Sequence, residues 1–184
     1  MSILIEIVRI SNFRSLKNIE AVLAPLTVLV GANNSGKTSF LKALNLSLGV
    51  ERRVATKDDF FIGEKESGEE KRIRIDIRII PIDANGKRAN EFEELWRDVE
   101  FGDLISLDKK DNQYVAFRTE IAFNVLKNDY EIKRYRIPDW QEDFKGWEEV
   151  NYADQLKGSF PSIPLFFIDA QRDVLEDLRN RAYM

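Results

Sequence analysis

Apolar and polar positions change rhythm several times along this chain, and each change predicts an element. "ILIEIVRI" (3–10) is short and rich in β-branched residues, which predicts a strand. "LTVLVG" (26–31) is a continuous apolar run ending at glycine, the pattern of a strand buried on both faces. Directly afterwards Phe40, Leu41, Ala43, Leu44 and Leu48 recur at three- and four-residue spacing, predicting a helix with one apolar stripe that ends near Gly49. The stretch 50–71 is polar, charged and glycine-containing, and reads as a long surface connection. In "RIRIDIRII" (72–80) the alternation is strict: Ile73, Ile75, Ile77 and Ile79 point one way, and Arg72, Arg74, Asp76 and Arg78 the other. That predicts a half-buried strand with a solvated charged face, too interspersed with acid for tight DNA binding. "NEFEELWRDVEF" (90–101) reads as a helix, and "YVAFRTEIAFNVL" (114–126), "KND" and "YEIKRYRI" (130–137) as a hairpin. "PLFFIDAQRDVLEDLRNR" (164–181) reads as a buried strand, a turn and a helix. With no internal repeat, low-complexity tract or strong boundary, the expectation is one α/β domain over residues 1–184.

Composition narrows what that domain can do. Its 184 residues are 43% hydrophobic, enough for a real core. Arg and Lys number 28 against 32 Asp and Glu, so the formal charge of −4 argues against a generally basic nucleic-acid binder. Cysteine and histidine are absent, which excludes disulfides, Cys/His zinc sites and histidine-based triads within the chain. Apolar runs fall far short of a membrane span, and Met1 leads into a strand-like segment rather than a leader, so the expectation is a soluble cytoplasmic protein.

The candidate chemistry lies between the apolar run and the helix. "GANNSGKT" (31–38) fits G-x-x-x-x-G-K-[ST] without a mismatch, with a predicted strand before it and a predicted helix after it. Gly31 and Gly36 let the backbone curl so that successive N–H groups face one anion, and the helix N-terminus adds its positive dipole end. The candidate phosphate-binding residues are therefore Asn33, Asn34, Ser35, Gly36, Lys37, Thr38 and Ser39. Lys37 is the residue to reach the β- and γ-phosphates of ATP, and the Thr38 hydroxyl the one to hold Mg²⁺.

What precedes the loop narrows the class. An N-terminal strand, then "NFRS" (12–15), then "GANNSGKTSFLKAL" resembles the head lobe of the ABC-type ATPases that manage DNA, the RecF and SMC-like proteins, and most closely the OLD (overcoming lysogenisation defect) family ATPases. The resemblance is strong over 3–49, is supported at "TKDDFF" (56–61) and "FFIDAQRDVLEDLRNR" (166–181), and covers about half the chain. It implies a P-loop NTPase of the AAA type with an ABC-type head lobe: a mixed sheet, an antiparallel β portion and a P-loop helix. It also implies that Arg14, with Ser15, sits beside the nucleotide. A guanidinium that forks onto phosphate oxygens suits that place. Asp58 and Asp59 read as an N-cap pair or as surface charges, with no role assigned.

The rest of the hydrolytic machinery is harder to find. Neither an apolar strand ending in Asp-Glu nor an LSGG-like signature is present. At "LFFID" (165–169) Ala170 stands where the catalytic Glu would be, so no residue is assigned a catalytic role. Three readings stay open there. Asp169 is a Walker B carboxylate; or, as the family pattern favours, the strand leads into a Q-loop with Gln171 near Mg²⁺ and the γ-phosphate; or Asp169 and Gln171 cap the next helix. The resemblance further implies a lobe completed by a C-terminal lobe beyond Met184 or on another chain. It implies a homodimer or a second ATPase lobe as partner, DNA as a partner of the complete protein, and roles in DNA repair or antiviral defence. The family's Toprim nuclease needs an Asp-x-Asp pair that these residues lack. Against an ATPase lobe stand a nucleotide-sensing adaptor and a small stand-alone P-loop kinase or GTPase. The absence of a guanine-reading N-K-x-D weakens the GTPase version.

Overall fold

A computed structural model of the chain describes residues 2–48, 55–61, 72–149, 152, 154–156 and 163. Its centre is a seven-stranded sheet. β1 (Ser2–Phe13), β2 (Leu16–Val22), β3 (Ile73–Ile82), β5 (Gln113–Asn124), β6 (Asp129–Arg136) and β7 (Gln155–Leu156) follow the order β2-β1-β3-β5-β6-β7, and β4 (Ile105–Leu107) also pairs with β5. Every pairing is antiparallel, so the parallel part of the expected mixed sheet is not seen among the described residues. The predicted hairpin is β5 and β6, joined by a turn at 125–128. β2 carries only Leu16, Ile19, Ala21 and Val22 among charged and polar neighbours, so no apolar alternation announced it.

Period-two alternation sends one set of side chains to each face. On the first face Val8, Ile10, Ile73, Ile75, Ile77, Ile79, Val115, Phe117 and Ile121 are fully buried. They share a core with Phe40, Ala43, Leu44 and Leu48 of the helix α1 (Lys37–Leu48), which lies where the periodicity placed it; Leu41 stays exposed. Ser47 of α1 and Thr119 of β5 meet hydroxyl to hydroxyl at 2.7 Å inside this core.

The second face departs from the expectation of a solvated charged surface. Arg9, Asp76, Arg78 and Arg118 are buried. The strand register explains how. Glu20, Arg9, Asp76 and Arg118 are successive cross-strand neighbours over β2, β1, β3 and β5, so charge alternates along a single row. Arg118 grips Asp76 with Nε–Oδ1 at 2.8 Å and Nη2–Oδ2 at 2.9 Å. Arg9 donates to Glu20 at 2.7 Å. A strap at 138–149 closes over the row and meets the remaining donors with its carbonyls: Gln141 and Glu142 accept from Arg9, and Trp147 and Glu148 from Arg118. Trp140 covers the Arg9 guanidinium at 4.4 Å, and Trp147 donates its indole N–H to Asn18. Arg72 and Arg74, farther along, remain half-exposed and pair with Glu120 at 3.1 and 3.7 Å.

The predicted helix at 90–101 is confined to a π-helical stretch at Leu95–Phe101, anchored by Phe101 against Phe92 and Trp96. Within the expected surface connection, Ala55, Asp59 and Phe60 are buried, because a 3₁₀ turn (Lys57–Asp59) packs on the end of β1. The predicted strand and helix at 164–181 lie outside the described residues. No described helix is long and apolar enough to cross a membrane.

A buried charge stripped of its partner is costly. Asp76→Ala is expected to destabilise the protein by about 3–5 kcal/mol in equilibrium urea unfolding, and Asp76→Leu with Arg118→Met to recover most of that loss. A single mutant within about 0.5 kcal/mol of wild type would mean that the row does not hold the sheet.

Candidate nucleotide-binding site

The loop 31–36 hands the chain into α1. Ser35 N–H bonds back to the Ala32 carbonyl at 3.2 Å, Asn34 and Gly36 take φ values of 66° and 93°, and the Phe40 N–H makes the bond to the Gly36 carbonyl that begins the helix. Helix geometry leaves the N–H groups of Lys37, Thr38 and Ser39 without a carbonyl one turn earlier. These donors and the dipole end of α1 are the features by which a helix start can receive an anion. The Lys37 ammonium arches back over the loop and donates to the Gly31 and Ala32 carbonyls, each at 2.7 Å, and approaches Ser35 Oγ at 3.4 Å. Asn33, Asn34, Ser35 and Thr38 are exposed around it. Six of the seven loop candidates therefore flank one open, cationic turn, and Ser39 is turned towards the sheet.

The run before the loop does not form the buried strand predicted at 26–31. It is irregular, with Leu26 85%, Val28 74% and Val30 90% exposed. Among the described residues no strand pairs with it, and of its large apolar side chains only Leu29 is mostly covered.

Instead the loop is held from the other side by the tight turn between β1 and β2. Asn12 and Arg14 both have left-handed backbones, φ 63° and 51°, a cost that side chains other than glycine rarely accept without surrounding support. Ser15 and Ser39 share a hydrogen bond at 3.0 Å. Leu16 packs so closely on Gly36 that a Cβ there would lie 2.6 Å from Leu16 Cδ2 and 3.3 Å from Ser15 Oγ. Arg14 and Ser15, which the family resemblance placed beside the nucleotide, thus belong to the turn that abuts the loop.

Arg14 has a partner that the sequence reading left without a role. Asp59 is buried, and its Oδ1 accepts from Arg14 Nε at 2.9 Å and lies 2.6 Å from Nη2. Its other oxygen accepts the Thr56 N–H at 3.0 Å. The backbones are also joined, Arg14 N–H to the Asp59 carbonyl and Phe61 N–H to the Asn12 carbonyl. The available signal was T-x-x-D at 56–59, a capping-box spacing inside an otherwise polar stretch.

Mg²⁺ fits this donor set in one way only. Among the described residues no group of three acidic side chains gathers as a cage, while the exposed Thr38 hydroxyl stands at the helix start. A magnesium ion here would take Thr38, water and nucleotide phosphates as ligands, the arrangement hard cations adopt at phosphate sites. Gln171 and Asp169 lie outside the described residues.

An unbroken P-loop at a helix start, beside a sheet that is antiparallel and accompanied by few helices among the described residues, fits an α/β P-loop NTPase. The AAA ATPase domain family matches residues 4–171, and the chain belongs to it. Two proteins share a shorter stretch with it. An OLD nuclease of Thermus scotoductus is 49% identical over 41 residues, and the Old nuclease of Escherichia phage P2 is 48% identical over 44 residues. Those stretches are 22% and 24% of this chain but 8% of each relative. They agree with the family resemblance that the sequence carries, so the chain is an AAA ATPase domain with a stretch similar to OLD nucleases.

Because Gly36 combines a left-handed backbone with a blocked Cβ position, Gly36→Ala is expected to cost about 1–3 kcal/mol, read as a lower midpoint in thermal unfolding. An unchanged midpoint would show that the Leu16 contact is not made.

Proposed function

We propose that this chain is the first ATP-binding lobe of an ABC-type head, binding Mg·ATP through Lys37 and Thr38 and hydrolysing it only once a second lobe completes the site. The single observation that carries this reading is the loop itself: an unmismatched P-loop at the start of α1, with Lys37 poised over it and the Arg14 turn packed on Gly36. The exposed run at Leu26, Val28 and Val30 supports an incomplete lobe, since three large apolar side chains exposed within five residues are a surface that a partner would cover. Two such heads closing on ATP would couple binding to dimerisation. In the complete protein that cycle would serve DNA processing or antiphage defence, the roles implied by the family resemblance; the relatives' own names say only that they are nucleases.

The chain's own residues supply grip and charge. Backbone N–H groups at 36–39 would hold phosphate oxygens, Lys37 would balance the β- and γ-phosphate charge, and Thr38 would orient the metal's shell. Magnesium, when bound, neutralises charge building up between the β- and γ-phosphates. Residues 21–50, which include the loop, contain no carboxylate to activate water, and Asp59, beside the flanking turn, is engaged with Arg14.

Calorimetry with Mg·ATP is expected to give an affinity that Lys37→Ala weakens by about thirtyfold or more, the loss of a charged hydrogen-bonding group worth about 2 kcal/mol. Equal affinities would remove the P-loop assignment. Phosphate release by the purified 184-residue chain is expected to stay far below about one turnover per second. Faster turnover, abolished by Asp169→Ala, would mean that a complete hydrolytic site exists within the chain.

A further inference from the structure

We infer that Asp59 is a positioning residue for nucleotide binding: it holds the Arg14 guanidinium by one edge so that the other is presented to phosphate oxygens at the P-loop. The inference rests on the nucleotide reading above and adds a residue that neither the P-loop pattern nor the family resemblance assigns.

Three observations carry it. First, the carboxylate is built in place rather than met by chance. Asp59 is buried, one oxygen is fixed by the Thr56 N–H, and its carbonyl takes the Arg14 N–H. Second, the grip is one-sided. Asp59 Oδ1 takes Nε and Nη2 of Arg14, and because a guanidinium is planar with donors on two edges, the Nη1 edge faces away from the carboxylate. Arg14 also lies over the Phe13 ring at 5.6 Å, and its side chain keeps 36% of its surface exposed. Third, the turn that carries Arg14 is locked to the loop through Ser15 with Ser39 and Leu16 on Gly36. A guanidinium fixed on that turn is fixed relative to the phosphate site. Left loose, the side chain would lose rotamer freedom on binding, which lowers affinity.

The sign of the effect separates this role from a purely electrostatic one. Removing an anion near a polyphosphate should tighten binding, because like charges repel. Removing a positioning anion should weaken it.

Calorimetric titration with Mg·ATP tests this on wild type, Arg14→Ala, Asp59→Asn, the double variant and Lys37→Ala, with thermal unfolding to verify that each is folded. Arg14→Ala is expected to weaken binding about tenfold. Asp59→Asn should weaken it by a similar factor, and the double variant should bind no worse than Arg14→Ala, because both changes remove one interaction. Arg14→Lys leaves Asp59 and its Thr56 contact intact; it should also weaken binding, since an ammonium cannot be held by one edge while offering another. The inference is overturned if Asp59→Asn binds as tightly as wild type or tighter, if its loss multiplies with that of Arg14→Ala, or if Arg14→Ala or Arg14→Lys leaves affinity unchanged. Failure of the underlying reading would look different: Lys37→Ala would bind as wild type does.

Discussion

Leu16 against Gly36 is the contact on which the site depends. It leaves no room for a side chain at Gly36, whose backbone is also left-handed, and it joins the β1–β2 turn to the start of α1. With the Ser15–Ser39 bond beside it, the contact ties the phosphate loop to the sheet, although the run leading into the loop is paired with nothing described. A loop that must present N–H groups to an anion gains from such anchoring, because donors already in place need no ordering when the ligand arrives. The left-handed residues Asn12 and Arg14 are the local cost of making the turn that reaches it.

The sheet can carry that turn because both its faces are closed. One is closed in the ordinary way, by isoleucines and by α1. The other is closed by a row in which Glu20, Arg9, Asp76 and Arg118 alternate in sign and a strap whose carbonyls satisfy the outward donors. Burial pushes the Asp76 carboxyl upward, against the pull of the Arg118 hydrogen bonds and charge, so the row holds only while each member keeps its neighbour. The arginines that alternation exposes to DNA on paper are in part structural: Arg78 lies buried over the Tyr114 ring, 4.7 Å away, and near Glu6.

Local rules made part of this legible in the sequence. β1, β3, the β5–β6 hairpin and α1 follow from period and propensity, and the phosphate loop from spacing, because in each the deciding residues are neighbours in the chain. Three features were not legible, each because the deciding partner is distant. β2 lacks apolar alternation and forms because β1 offers it an edge. The charged side of β3 looked solvated because its cover comes from 138–149. Asp59, read as part of an N-cap pair or as a surface charge, had no role assigned because its partner, Arg14, is distant in sequence at the β1–β2 turn. The apolar run 26–31 failed in the opposite sense: its composition is that of a buried strand, while no described strand pairs with it and Leu26, Val28 and Val30 stay exposed.

Nucleotide held as proposed, by the loop and its flanking turn, would leave a direct signature in backbone amide NMR of the isotopically labelled chain. Titrating Mg·ATP should shift the amides of Gly36, Lys37, Thr38 and Ser39 most, together with the Arg14 side-chain Nε–H. Shifts confined to the open cavity of about 390 Å³ beside Tyr135 and Tyr152, with the loop amides unmoved, would contradict the account.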